Sequence, residues 1–129
     1  VLRAMHFLQE NDRVDRQLQS LRNDDMNSFL SLLTASGNSS WKWLQNCYRD
    51  SDHHDQSMAV ALAITEVFLQ SIGDGACRLH GGGFAGVILA AVPNEHAAAY
   101  EKLIADTLGT SIFRVRIREH GAFCLNDLV

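Results

Sequence analysis

At Gly73-Asp74-Gly75 the apolar residues change period, and that change limits the fold more than any other feature of the chain. Before it, Ala61, Ile64, Phe68 and Ile72 fall at the three-and-four spacing that marks one side of a helix. After it, Ala76-Cys77-Arg78-Leu79 and Val87-Ile88-Leu89-Ala90-Ala91-Val92 are short β-leaning runs separated by glycines. Helices followed by strands with one connecting helix read as an α+β fold, a helical first half plus an antiparallel sheet with helices on one side. The 129 residues are enough for one core, so residues 1–129 are expected to form a single domain.

The first helical stripe runs through Val1, Met5 and Leu8 and then Val14, Leu18 and Leu21. Its step from Leu8 to Val14 predicts one long helix with a shifting buried face, or two helices meeting near Asn11-Asp12. Asn23-Asp24-Asp25 starts a second helix with Met26, Phe29, Leu30 and Leu33 inward and Gly37 ending it. Gly37-Asn38-Ser39-Ser40 then reads as a loop and cap leading to Trp41 and Leu44. Ser51 or Asp52 caps the next helix, and Gly73 stops it. Pro93-Asn94 opens a last helix through Leu108, with Gly109 at its C-terminal left-handed position. Residues 111–118 alternate, with Phe113, Val115 and Ile117 opposite Arg114, Arg116 and Arg118, the pattern of a half-buried antiparallel strand. Glu119-His120-Gly121 turns it into a short partner strand over 122–125.

A net charge of −4 and a pI near 5.8 argue against a nonspecific nucleic-acid or anionic-membrane partner. No apolar stretch approaches the roughly 20 residues that span a bilayer, and no leader pattern precedes the first helix. Cys47, Cys77 and Cys124 are odd in number and lack metal or redox spacing, which fits a reduced, cytoplasmic setting. The sequence begins at Val1 inside a helical pattern, as a piece cut from a longer protein would.

The most informative local feature is the run His80-Gly81-Gly82-Gly83-Phe84-Ala85-Gly86. Consecutive glycines permit positive φ and close approach, and such turns expose N–H groups that cradle phosphate. The same run also suits a plain strand connection, and it lacks both the Gly-Lys-Ser/Thr ending of a P-loop and the G-x-G-x-x-G register. His53-His54-Asp55 reads as a solvated helix start, not a metal centre, because adjacent residues do not converge on one ion. The Arg114, Arg116 and Arg118 face reads as a solvated or acid-paired sheet face, and Trp41 and Trp43 as packing anchors. Nothing selects a catalytic triad.

RAMHFLQENDRV at residues 3–14, GACRLHGGGFAGVILAAVP at 75–93 and the looser run 36–55 together resemble galactokinases of the GHMP small-molecule kinase superfamily. RAMHFLQENDRV, residues 3–14, is similar to R-A-x-H-x-x-x-E-N-x-R-V, matching at Arg3, Ala4, His6, Glu10, Asn11, Arg13 and Val14. Residues 75–93 are similar to the family's strand, T-G-G-G-F-G-G turn and second strand, with Gly81, Gly82, Gly83, Phe84 and Gly86 in place. His80 stands where the family has Thr or Ser, and Ala85 where it has Gly. A looser run, 36–55, matches at Ser36, Ser39, Tyr48, Ser51 and Asp55, with Gly37 replacing the usual His.

The resemblance implies a ferredoxin-like GHMP-kinase C-terminal domain. That domain would close over ATP, Mg2+ and a sugar held by its own N-terminal kinase domain, with the 80–86 turn near the transferred phosphate. In the family the phosphate-binding Gly-Leu-Ser-Ser-Ser loop and the catalytic Asp belong to the N-terminal domain, and neither occurs in this sequence. The chain is therefore expected to carry no catalytic or metal-ligating residue, to bind no cofactor by itself and to be inactive alone. The implied partners are the N-terminal domain and a small-molecule sugar, with neither nucleic acid nor membrane. The competing reading is a free-standing ferredoxin-like ligand-binding or regulatory module. A nucleic-acid binder using Phe113 and the three arginines ranks below both.

Overall fold

The computed structural model describes residues 1–48, 51–52, 54–82 and 86–117. Helix α1 (Leu2–Arg22) runs unbroken through Asn11-Asp12. Asp25 caps helix α2 (Met26–Ser39), its carboxylate accepting from the Ser28 N–H at 2.9 Å. Helix α2 does not end at Gly37. It continues into a single π-helical turn, Ser40–Leu44, where a loop was expected. Gly37 is glycine for a packing reason, because a Cβ there would lie 2.9 Å from the Arg78 Cβ and 3.2 Å from the Cys77 carbonyl oxygen.

Helix α3 (Ser57–Ile72) begins later than Ser51 or Asp52, with the Asp55 carboxylate accepting from the Ser57 N–H at 3.1 Å. Gly73, at φ +74, ends it as expected. Strand β1 (Ala76–His80) pairs antiparallel with β2 (Val87–Ala91), from Ala76 opposite Ala91 to His80 opposite Val87. A 3₁₀ turn, Asn94–His96, leads into α4 (Ala97–Leu108), which stops at Gly109 with φ +59.

The apolar core lies between α3 and the sheet. Leu79, 1% exposed, packs with Cys47 and Met58, and Leu62 and Ile88 close the cluster. The buried line of α3 is Met58, Thr65 and Leu69, with the expected Ala61, Ile64, Phe68 and Ile72 half-buried along its border. Thr65 is fully buried and polar, and its hydroxyl donates to the Ala61 carbonyl at 2.7 Å and shares a hydrogen bond with the Tyr100 hydroxyl at 2.8 Å. That contact and the Phe68–Tyr100 ring pair at 5.3 Å fasten α4 to α3.

Three expectations change. The α+β class holds, but helices do not lie on one side of the sheet. Successive strand residues point oppositely, so Leu79 reaches α3 while Arg78 reaches α1 and α2. The apolar stripe of α1 faces outward, with Phe7 and Leu8 more than 60% exposed and Val14, Leu18 and Leu21 open beside them. Its inward face is polar: His6, Glu10, Arg13 and Gln17 are half-buried and Ser20 is buried. Residues 111–117 form no strand, and Phe113 and Ile117 are 83% and 97% exposed. Alternation marks a chain able to pair, but a strand needs an opposing ladder, and none lies alongside among the described residues. Arg118, the Glu119-His120-Gly121 turn and the 122–125 strand lie outside the described residues.

Candidate functional site

The turn between β1 and β2 starts from the exposed His80, the last residue of β1. Gly81 has φ +72, a conformation that suits glycine. Among the described residues, a Cβ at Gly81 or Gly82 would meet nothing within 4 Å, so none of them closes this side of the turn. The Gly82 carbonyl accepts a hydrogen bond from Asn46 Nδ2 at 3.2 Å. Gly86 is exposed ahead of β2; Gly83, Phe84 and Ala85 lie outside the described residues.

Two residues before His80, Arg78 enters a polar junction joining α1, α2 and β1. Its Nη1 donates to the Ser36 hydroxyl at 2.5 Å, and that hydroxyl donates to Glu10 Oε2 at 2.5 Å. Glu10 also pairs with Arg13 one helical turn along, and Arg78 Nη1 stands 4.0 Å from its carboxylate. One carboxylate thus lies between two guanidiniums, leaving one positive charge in excess. Burial pulls Arg78 below the ordinary arginine value. Burial, then Arg78 and Arg16, do the same to Arg13. His6 shares a hydrogen bond with the Ser39 hydroxyl at 2.9 Å, and burial, then Arg13 and Arg78, lower its pKa.

Burial, aided by Glu66, pushes the Cys77 thiol up to about 11, and burial alone raises Cys47, in both cases away from the thiolate that a nucleophile needs. Cys124 lies outside the described residues. Among the described residues no three or more His, Cys, Asp or Glu side chains cluster as the ligands of a metal ion. His53 lies outside the described residues; His54 and Asp55 precede α3 in a turn where Asp52 accepts from the His54 N–H at 3.1 Å. Arg114 is acid-paired, donating to both Glu101 oxygens at 2.5 and 3.0 Å. Trp41, 45% exposed, is not the packing anchor expected, because the π turn rotates it outward, whereas Trp43 is half-buried. Among the described residues no helix is long and apolar enough to cross a membrane.

Comparison with known proteins gives one consistent result. The chain is 32% identical over 105 residues to a galactokinase of Glaesserella parasuis and 33% identical over 107 residues to one of Haemophilus influenzae, in each case covering 81% of this chain. The galactokinase of Actinobacillus pleuropneumoniae is 30% identical over 105 residues. The chain is similar to galactokinases. It spans about a quarter of the length of these curated relatives, 25% of each. No family model and no solved structure matches it.

Residues from all three stretches of the galactokinase resemblance meet in space. His6, Glu10 and Arg13 come from its first stretch and Ser36 and Ser39 from its third. Arg78 lies in the second stretch, two residues from the glycine turn. The α1 stripe was the wrong guide to this junction, whereas the motif positions on the same helix mark it. Asn46 was singled out by neither periodicity nor resemblance.

Proposed function

We propose that the chain is the C-terminal part of a galactokinase-like sugar kinase, which phosphorylates galactose at the anomeric hydroxyl with ATP and Mg2+. The observation that carries this reading is the 30–33% identity to galactokinases over 81% of the chain. In this reading the chain is a ferredoxin-like GHMP-type domain and the turn formed by His80, Gly81, Gly82, Gly83, Phe84, Ala85 and Gly86 lines the cleft near the transferred phosphate. Its support is the positive φ of Gly81 and the side of Gly81 and Gly82 that no described residue closes, which let backbone N–H groups approach an anion. The phosphate loop, the catalytic base and the metal ligands belong to an N-terminal domain, so the chain alone is inactive. The enzyme works in the cytoplasm.

The outward apolar residues of α1 support a partner domain over a free-standing module, since the large exposed apolar side chains of Met5, Phe7, Leu8, Val14, Leu18 and Leu21 on one helix are what a covering surface would bury. The protein expressed from its complete natural reading frame should phosphorylate galactose in a panel of sugars with ATP. Failure on every sugar overturns the reading. His80 replaces the family's hydroxyl residue, so His80→Thr should raise galactose turnover by about three- to tenfold, the scale of one neutral hydrogen bond. An unchanged rate means that His80 does not set sugar preference.

A further inference from the structure

The segment joining α2 to α3 contains three locally unfavourable features in a row. The π turn Ser40–Leu44 extends α2, and Gln45 follows in the left-handed region at φ +53, without being glycine. Asn46, 4% exposed, then donates to the Gly82 carbonyl while its Oδ1 is buried without a hydrogen-bond partner among the described residues. Cys47, next in the chain, is locked in the core beside Leu79 and Met58. Asn46 is therefore held on its C-terminal side by core packing, and its side chain crosses to the glycine turn. A site needing only volume would take an apolar side chain, because a buried acceptor left unpaired costs stability. Strain concentrated around one polar contact is the pattern of a residue kept for what it positions.

We propose that Asn46 is a positioning residue of the glycine turn. By holding the Gly82 carbonyl it fixes the direction in which Gly81 and Gly82 present their N–H groups to a phosphoryl group. The identity of that ligand rests on the sugar-kinase reading; the hold on the turn does not. The resulting dependence is long-range in sequence, since the end of α2 sets the geometry of a turn 36 residues further along.

The test uses the protein expressed from its complete natural reading frame. Asn46→Leu keeps the volume and removes the amide. Asn46→Asp keeps the shape and loses the donor when the carboxyl is ionised. At pH 7.5, amide exchange at Gly81, Gly82 and Gly86 should quicken at least tenfold in both variants while α3 and α4 hold their rates. At pH 5, after correction for intrinsic exchange, Asn46→Asp alone should recover, because burial favours the protonated carboxyl and that form donates to the Gly82 carbonyl. With ATP and the sugar, both variants should lose at least tenfold in kcat at pH 7.5 with the KM for sugar unchanged. Turn exchange that stays at the unsubstituted rate in both variants, or that quickens no more than α3 does, overturns the proposal. A protein without kinase activity whose turn still responds to Asn46 refutes the kinase reading and upholds the hold on the turn. An active enzyme with an unmoved turn does the reverse.

Discussion

The two sides of β1 are held by different chemistry. Toward α3, Leu79 enters an apolar cluster with Met58, Cys47, Leu62 and Ile88, and the buried hydroxyl of Thr65 on that helix has partners in Ala61 and Tyr100. Toward α1 and α2, Arg78 enters a junction of charges and hydroxyls, while the apolar residues of α1 face outward. Apolar contact is non-directional and tolerates small shifts, whereas a guanidinium, hydroxyl and carboxylate in series hold only in one geometry. The junction is therefore the side that fixes the direction of β1, and the α3 side is the one held by apolar packing around Leu79.

Each side also has a glycine at a point of backbone contact, and replacing them ranks the two. At Gly75, with φ +103, a Cβ would lie 2.5 Å from the Ala91 carbonyl oxygen and 2.6 Å from Leu69 Cδ2. Gly75→Ala combines left-handed strain with overpacking and should cost about 3–5 kcal/mol. Gly37→Ala carries no left-handed strain, but its Cβ meets the Arg78 Cβ at 2.9 Å and the Cys77 carbonyl oxygen at 3.2 Å, and it should cost about 1–3 kcal/mol. Urea unfolding of both variants checks the order; a larger loss at Gly37 would mean that the polar junction is the stiffer side.

A second pair separates the chemistries. Leu79→Ala empties a fully buried site and should cost about 3 kcal/mol at any salt concentration. Glu10→Gln leaves Arg13 and Arg78 facing each other without the intervening carboxylate. Because these side chains keep 14–24% exposure, the loss is about 2 kcal/mol, below that for a fully buried pair. Chloride at about 1 M screens the repulsion and should restore part of the Glu10→Gln loss, leaving Leu79→Ala unmoved. An equal salt response in both would break the contrast between the two sides.

The same contrast explains how much was legible beforehand. Helices α2, α3 and α4 and both strands follow from period and punctuation, with Asp25, Gly73 and Gly109 acting through their own backbone geometry. These signals are local, and local chemistry suffices to read them. The face of α1 is different. Val14, Leu18 and Leu21 share their spacing with His6, Glu10, Arg13, Gln17 and Ser20, so two stripes compete and hydrophobicity selects the one that faces outward. Gly37 is indistinguishable in sequence from a helix stop, because its reason is Arg78, forty-one residues away. The 111–117 segment alternates without a ladder beside it, and ladders are not written in one strand's sequence. Within the site, the positive φ of Gly81 was foreseeable from the glycine run. Asn46 was not, since nothing local marks an asparagine whose partner lies across the fold.

The smallest expected effect is also the most selective, because it concerns a group on the polar side alone. His6 meets Ser39 through Nδ1, and Arg13 and Arg78 act on it across the junction, with Glu10 between them. Burial first, and the two guanidiniums second, hold its native pKa below the ordinary histidine value of 6.5. Between that lower value and 6.5 the unfolded chain binds the extra proton, so stability rises with pH through this window. The His6 contribution is fully present above 6.5 and is lost as the pH falls through 6.5 toward the native value. Amide exchange along α1 should accordingly quicken between pH 7.5 and 5.5, beyond the intrinsic change, while α3 holds its protection. His6→Gln, which keeps a hydrogen-bonding group toward Ser39 and cannot titrate, should flatten the α1 response. A response shared equally by α1 and α3, or one that survives His6→Gln, would assign the pH dependence to the whole fold and dissolve the division between its two sides.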